Sequence, residues 1–123
     1  MRWKKMIESK VIEIGELVAA FAEEKLLVLF GPTATAELRS ICVIHEFNKQ
    51  PENLLKPGLK MEIGGQTYTI TKVGDAANKN FDELGHISIY FRTGENEILP
   101  GAIIAEPEIY PAVKLNDTIR FHQ

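Results

Sequence analysis

His45 is the residue best placed to do chemistry. It closes the run Ser40-Ile41-Cys42-Val43-Ile44-His45-Glu46-Phe47, where a stretch written for burial gives way to polar residues. That pattern predicts an imidazole at the edge of the core, held by packed neighbours and within reach of solvent. Its free pKa lies near working pH, so imidazole can serve as nucleophile, acid or base. On a strand, His45 points with Ile41, Val43 and Phe47, while Cys42, Ile44 and Glu46 take the other side. A core-edge histidine with one satisfied ring nitrogen is the plainer reading of the same pattern. His86 heads the run Ile87 to Phe91, and His122 is the penultimate residue. His86 starts its run and His45 ends its own. As antiparallel neighbours, the two strands would bring both imidazoles to one rim of a sheet.

The other reactive side chains fit structural roles. Cys42 is the single cysteine, so no intrachain disulfide can form. Its neighbours are apolar, which raises a thiol's pKa and makes it inert. Asp75, Asp82 and Glu83 lie in turn-like segments and read as solvated or capping groups. The three histidines show no i,i+4 spacing and His122 sits at a fraying end, which disfavours a metal site. The sequence has no Gly-rich phosphate loop ending in Lys-Ser/Thr, no His-Glu-x-x-His, no Cys-x-x-Cys and no dinucleotide fingerprint. No cofactor is implied.

The elements that must position these residues are short β runs. Val11 to Ile14 alternates at period two. Leu26 to Phe30 is continuously apolar, as in a strand buried on both faces, and Gly31-Pro32 ends it. Ile41 to Phe47 is the next strand. Lys60 to Ile63 and Gln66 to Thr71 flank Gly64-Gly65, a tight-turn signal because such turns need positive φ. Ile87 to Phe91, Ala102 to Ala105 and Thr118 to Phe121 complete the set. Helix formers fill Glu16 to Lys25, with Leu17, Val18 and Phe21 on one face. Thr35 caps a short turn through Arg39. Asn80 to Glu83 has capping-box spacing and Gly85 supplies a stop, which sets His86 at the head of its strand. Asn48 to Pro57 is one long polar loop. Pro57 to Ile63 loosely echoes Leu115 to Phe121. The fold class is therefore all-β with minor helix, a barrel or sandwich of mostly antiparallel strands.

At 123 residues the chain suits a single domain, residues 1–123, and no linker divides it. A formal net charge of -3 argues against a nucleic-acid binder. Arg2, Lys4 and Lys5 read as a solvated basic start. No early apolar run resembles a signal peptide, and no stretch nears the about 18 residues that cross a bilayer. A cytoplasmic protein is expected, reaching any membrane process by docking.

Several stretches, in order, resemble the glucitol/sorbitol-specific IIA component of the bacterial sugar phosphotransferase system. They are Leu26 to Gly31, Ala36 to His45, Leu55-Lys56-Pro57-Gly58-Leu59, Val73-Gly74, Asn80 to His86, Leu99-Pro100-Gly101 and Asp117 to Phe121. The resemblance implies a barrel-like phosphocarrier. A histidine would accept a phosphoryl group from the histidine-containing carrier protein HPr and pass it to the IIB component of the sugar permease. His45 matches the family's phosphorylated histidine, and His86 matches a second one, with a helper role inferred. An exposed apolar rim around His45, with Phe47 in it, is expected to meet these partners. The contrasting reading is a non-catalytic β-barrel module that regulates a partner by binding, which would tolerate loss of His45.

Overall fold

The computed structural model describes residues 6–94 and 96–123, so the basic start at Arg2, Lys4 and Lys5 lies outside the described residues. Eight strands form a closed barrel: β1 Ile7–Ile14, β2 Leu26–Phe30, β3 Val43–Phe47, β4 Lys60–Ile63, β5 Gln66–Val73, β6 Ile87–Phe91, β7 Ala102–Glu106 and β8 Thr118–His122. Around the barrel the order is β1-β3-β2-β6-β7-β5-β4-β8, with β8 returning to β1. Closure leaves no free edge among the described strands. The pairs β2–β3 and β6–β7 are parallel; the other pairs are antiparallel.

The order reads alike outward from the β2–β6 pair, so the barrel consists of two matching halves related by an approximate dyad. β1 corresponds to β5, β2 to β6, β3 to β7 and β8 to β4. Val28 faces Ser88 at one crossing of this dyad, and Glu62 faces Arg120 at the other. The irregularity between Val11 and Glu13 in β1 recurs between Ile70 and Lys72 in β5. Such bulges bend a strand and sharpen its twist, which lets a short sheet close. Gly15 and Gly74 follow the two bulged strands. An added Cβ would lie 2.2 Å from the Arg39 carbonyl oxygen at the first and 2.1 Å from the Leu99 carbonyl oxygen at the second. The echo between Pro57–Ile63 and Leu115–Phe121 marks the corresponding strands β4 and β8.

Alternation packs the interior. Val11, Leu29, Val43, Ile70, Ile89 and Phe91 are fully buried there. A smaller cluster of Phe30, Ala34, Cys42 and Ile44 lies apart from it, packed with Val28, Leu38 and Ile41. Apolar contacts thus cover both faces of β2, which explains its unbroken apolar run. Gly64 and Gly65 make the β4–β5 turn with φ of 59° and 82°.

Several elements differ from expectation; β1, expected from Val11, begins at Ile7, and β5 runs on from Thr71 to Val73. The segment expected to be α-helical from Glu16 to Lys25 is a 3-10 helix, Val18–Glu24, ending at a left-handed Lys25. Its start is pinned by Gly15 and Leu17 N–H bonds to the Cys42 and Ser40 carbonyls. The tighter helix advances about 2.0 Å per residue against about 1.5 Å, and so spans the gap to β2 with few residues. β3 begins at Val43, since Ile41 and Cys42 belong to the turn that follows α1, Ala36–Arg39. Thr35 caps α1 as expected, accepting from the Leu38 N–H at 3.4 Å. The second helix, α2, spans Ala77–Leu84 and places Asn80 inside it. No side chain caps α2. Ala76 N–H bonds the Pro100 carbonyl and Ala77 N–H the Gly74 carbonyl, fixing the start by backbone alone. Gly85 ends it in the left-handed region at φ 66°.

Candidate functional site

His45 and Ser9 are the buried polar residues among those described, and they bond each other. The strand β1 alternates Ile7, Ser9, Val11 toward the interior, and Val11 pairs with His45 across the β1–β3 ladder. Ser9 pairs with Phe47 in the same ladder, so its hydroxyl reaches the imidazole diagonally. Ser9 Oγ lies 2.8 Å from His45 Nδ1. On the ring's far side, Nε2 lies 2.8 Å from the Gly85 carbonyl oxygen.

These contacts fix the tautomer. A carbonyl oxygen only accepts, so His45 Nε2–H donates to Gly85. Nδ1 then holds the lone pair, and the Ser9 O–H donates to it. Burial lowers the His45 pKa from its ordinary value to about 4, and the Gly85 hydrogen bond offsets part of that. Removing a cation from water is the dominant cost, so the ring is neutral at neutral pH. Phe47 meets the ring edge-on with centroids 4.8 Å apart, and Phe81 of α2 stands 6.0 Å away.

The expected rim position of His45 is corrected: the residue has no exposed surface. Phe47 is half-buried and packs against the core instead of forming an exposed rim. The reason is α2 with the long loop Asn48 to Pro57. Leu54 and Leu55 of that loop join the core, and α2 contributes Phe81 to it. The two segments clamp each other. Leu55 N–H donates to Asn78 Oδ1 at 2.8 Å, and Asn78 Nδ2 donates to the Leu55 carbonyl at 2.9 Å. Asp82, expected to be a solvated or capping carboxylate, accepts the Asn53 N–H of the same loop at 3.0 Å.

His86 sits just before β6, as expected. Its strand does not neighbour β3, because β2 lies between them. The C-terminal ends of β3 and β2 nevertheless share a barrel end with the start of β6, since β3 is parallel to β2 and β6 antiparallel to it. The link between the histidines is the Gly85–His86 peptide, whose carbonyl receives His45. The rings themselves have separate surroundings. His86 stacks on Phe30 at 4.6 Å and 28°, and its Nδ1–H donates to the Leu29 carbonyl at 3.2 Å. Among the described residues its Nε2 has no hydrogen-bond partner in the protein. His86 is half-buried and Leu84 beside it is 42% exposed.

The remaining candidates take structural places. Cys42 is fully buried and desolvation pushes its thiol up to about 11. His122 is not frayed: it belongs to β8 and its Nε2 lies 2.8 Å from Glu62. The terminal Gln123 carbonyl and then Glu62 raise its pKa. Glu83 pairs with Lys79 one helical turn away. The sequence reading missed Ser9 and Gly85 as partners of His45. Ser9 had a signal, a hydroxyl at an inward position between Ile7 and Val11 where alternation calls for an apolar side chain. Gly85 acts through its carbonyl, which side-chain patterns do not reveal.

Comparison with known proteins covers most of the chain. Residues 6–120 match the family model described as the PTS system glucitol/sorbitol-specific IIA component. The glucitol/sorbitol-specific EIIA components of Shigella flexneri and Escherichia coli K12 are each 32% identical over 97 residues, covering 78% of this chain and 77% of theirs. The crystal structure of a PTS system IIA component from Enterococcus faecalis V583 superposes with a TM-score of 0.83 at 32% identity. It covers 91% of this chain and 96% of that one. No helix among the described residues is long and apolar enough to cross a membrane. The chain belongs to the glucitol/sorbitol-specific IIA family of the sugar phosphotransferase system, a family of phosphotransfer proteins.

Proposed function

We propose that this protein carries a phosphoryl group on His45, taking it from HPr and passing it to the IIB component that serves glucitol/sorbitol uptake. One observation supports this reading above the others: a neutral imidazole and a serine hydroxyl are buried together in an otherwise apolar interior. Burying polar groups costs free energy that their hydrogen bonds must offset, and apolar side chains of the same shape would hold the place about as well. At the corresponding place in the other half of the barrel, paired with Ile70 as His45 is with Val11, stands Ala105. The fold itself therefore needs no imidazole there.

Transfer is an in-line displacement. A lone pair of His45 attacks phosphorus, the phosphorus–nitrogen bond to the donor histidine breaks, and its electron pair stays on the donor imidazole. Catalysis rests on positioning and on charge stabilisation at the phosphoryl oxygens. The contact between the ring and Gly85 must open first. The Nε2 edge is the one that opens, because it faces Gly85, next to exposed Leu84 at the end of α2, while the Nδ1 edge faces Ser9, itself 2% exposed. Nε2 is thus the attacking nitrogen. His86 is the helper: its ring follows the Gly85 carbonyl at the same barrel end, where it can orient the incoming phosphoryl group.

The test is phosphorylation of the purified protein by phosphoenolpyruvate, enzyme I and HPr, followed by intact mass. One acid-labile phosphate is expected on the wild type, none on His45→Ala, and slowed labelling on His86→Ala. Equal labelling of His45→Ala and wild type would overturn the reading. A folded wild type that takes no label from a working donor would instead favour the non-catalytic binding module.

A further inference from the structure

Neither ring nitrogen of His45 is free in the closed state, and its two partners differ in kind. The Gly85 carbonyl can only accept a hydrogen bond, whereas the Ser9 hydroxyl can donate or accept. An Nε2 that attacks phosphorus must present a lone pair, so it cannot stay against another lone-pair donor. The proton of the neutral ring then resides on Nδ1. The bond to Gly85 must break, but the bond to Ser9 need only reverse. Rotation of one hydroxyl hydrogen accomplishes that with both heavy atoms left 2.8 Å apart.

Resting on the reading of His45 as the phosphoryl acceptor, we propose that Ser9 is its positioning residue, bonded to Nδ1 throughout transfer. Ser9 donates O–H to Nδ1 while the ring is closed. Once the Gly85 bond has opened, Nε2 gives its proton to water, water returns one to Nδ1, and Ser9 Oγ accepts the Nδ1–H. Nε2 then bonds phosphorus as the donor's phosphorus–nitrogen bond breaks. The phosphorylated ring carries Nδ1–H still held by Ser9. On return transfer to the acceptor the same steps run backward. Ser9 is suited to this by its place on β1, between the ladders to β3 and β8, where Phe47 and Ile119 are its partners. A hydroxyl on paired backbone does not drift when α2 and Gly85 move.

The experiment compares wild type, Ser9→Ala and Ser9→Thr. It reads the initial rate of His45 labelling from phosphorylated HPr and the ring-nitrogen NMR shifts of His45 before and after labelling. Loss of one positioning hydrogen bond is expected to slow labelling about 5- to 10-fold in Ser9→Ala. Ser9→Thr, which keeps the hydroxyl, should recover most of the rate. The unlabelled wild type should show Nε2–H, and the labelled protein phosphorus on Nε2 with a hydrogen-bonded Nδ1–H. An unchanged rate in Ser9→Ala would overturn the proposal, as would phosphate on Nδ1, which would have displaced the hydroxyl. The wild-type nitrogen shifts decide the matter even if Ser9→Ala does not fold. A wild type unlabelled at His45 would remove the carrier reading itself, and this proposal with it.

Discussion

Acid should destabilise this protein through His45 well before its carboxylates are protonated. The folded ring has a pKa of about 4 and the unfolded ring one near the ordinary value of 6.5. Between those limits the unfolded chain binds the proton and the folded chain does not, so stability falls as pH falls. The full difference corresponds to roughly 3 kcal/mol, at about 1.36 kcal/mol per pKa unit. About 2 kcal/mol of that is lost between pH 7 and pH 5. With urea slopes of about 1–3 kcal/mol per molar, the midpoint should drop by about 1 M. Urea unfolding at pH 7, 6, 5 and 4 measures this, with His45→Gln beside the wild type. The amide cannot gain a proton in this range, so the wild-type excess slope belongs to His45. Proton NMR of the His45 ring should show no titration from pH 8 to 5. A ring that titrates near 6.5 in the folded protein, or parallel pH slopes for the two proteins, would refute the burial argument.

Two other predictions concern glycines. Gly85→Ala must adopt φ near 66°, and its Cβ would meet Gly31 N at 3.1 Å, Gly31 Cα at 3.2 Å and His45 Nε2 at 3.4 Å. A loss of about 1–2 kcal/mol in urea unfolding is expected from left-handed backbone strain, together with slower labelling of His45. Gly15→Ala and Gly74→Ala each force a Cβ within 2.5 Å of two carbonyl oxygens. Each should abolish cooperative unfolding at 25 °C, by circular dichroism. A folded Gly74→Ala would show that the two halves close differently from the geometry described.

Much of the fold was legible because alternation and turn chemistry are local. The runs Leu26–Phe30, Lys60–Ile63 and Ile87–Phe91 need only their own residues to be read as strands. The 3-10 form of Val18–Glu24 was not legible, since the distance its ends must span is set by β1 and β2. The start of α2 was misread at Asn80 for a related reason: carbonyls of Pro100 and Gly74 fix it, and they are remote or invisible in side-chain patterns. For the site, the residue type and strand position of His45 were readable, and its depth was not. Depth comes from α2 and the loop that Asn78 and Asp82 tie to it, segments that sequence places far from β3.

The near-repetition of the barrel separates scaffolding from purpose within a single chain. Lys25 and Gly85 occupy matching left-handed turns ahead of β2 and β6. In one half the Lys25 carbonyl is taken by the Phe91 N–H. In the other, the Gly31 N–H bonds Leu84 instead, one residue short of Gly85, and the Gly85 carbonyl is left for an imidazole. Tyr68 stands where Ser9 does and ties its hydroxyl to the Ile109 carbonyl. A slip of one residue in a single backbone bond, with alanine exchanged for histidine and tyrosine for serine, separates the plain corner from the one proposed to carry the phosphoryl group. The other half is the same architecture with the buried imidazole subtracted.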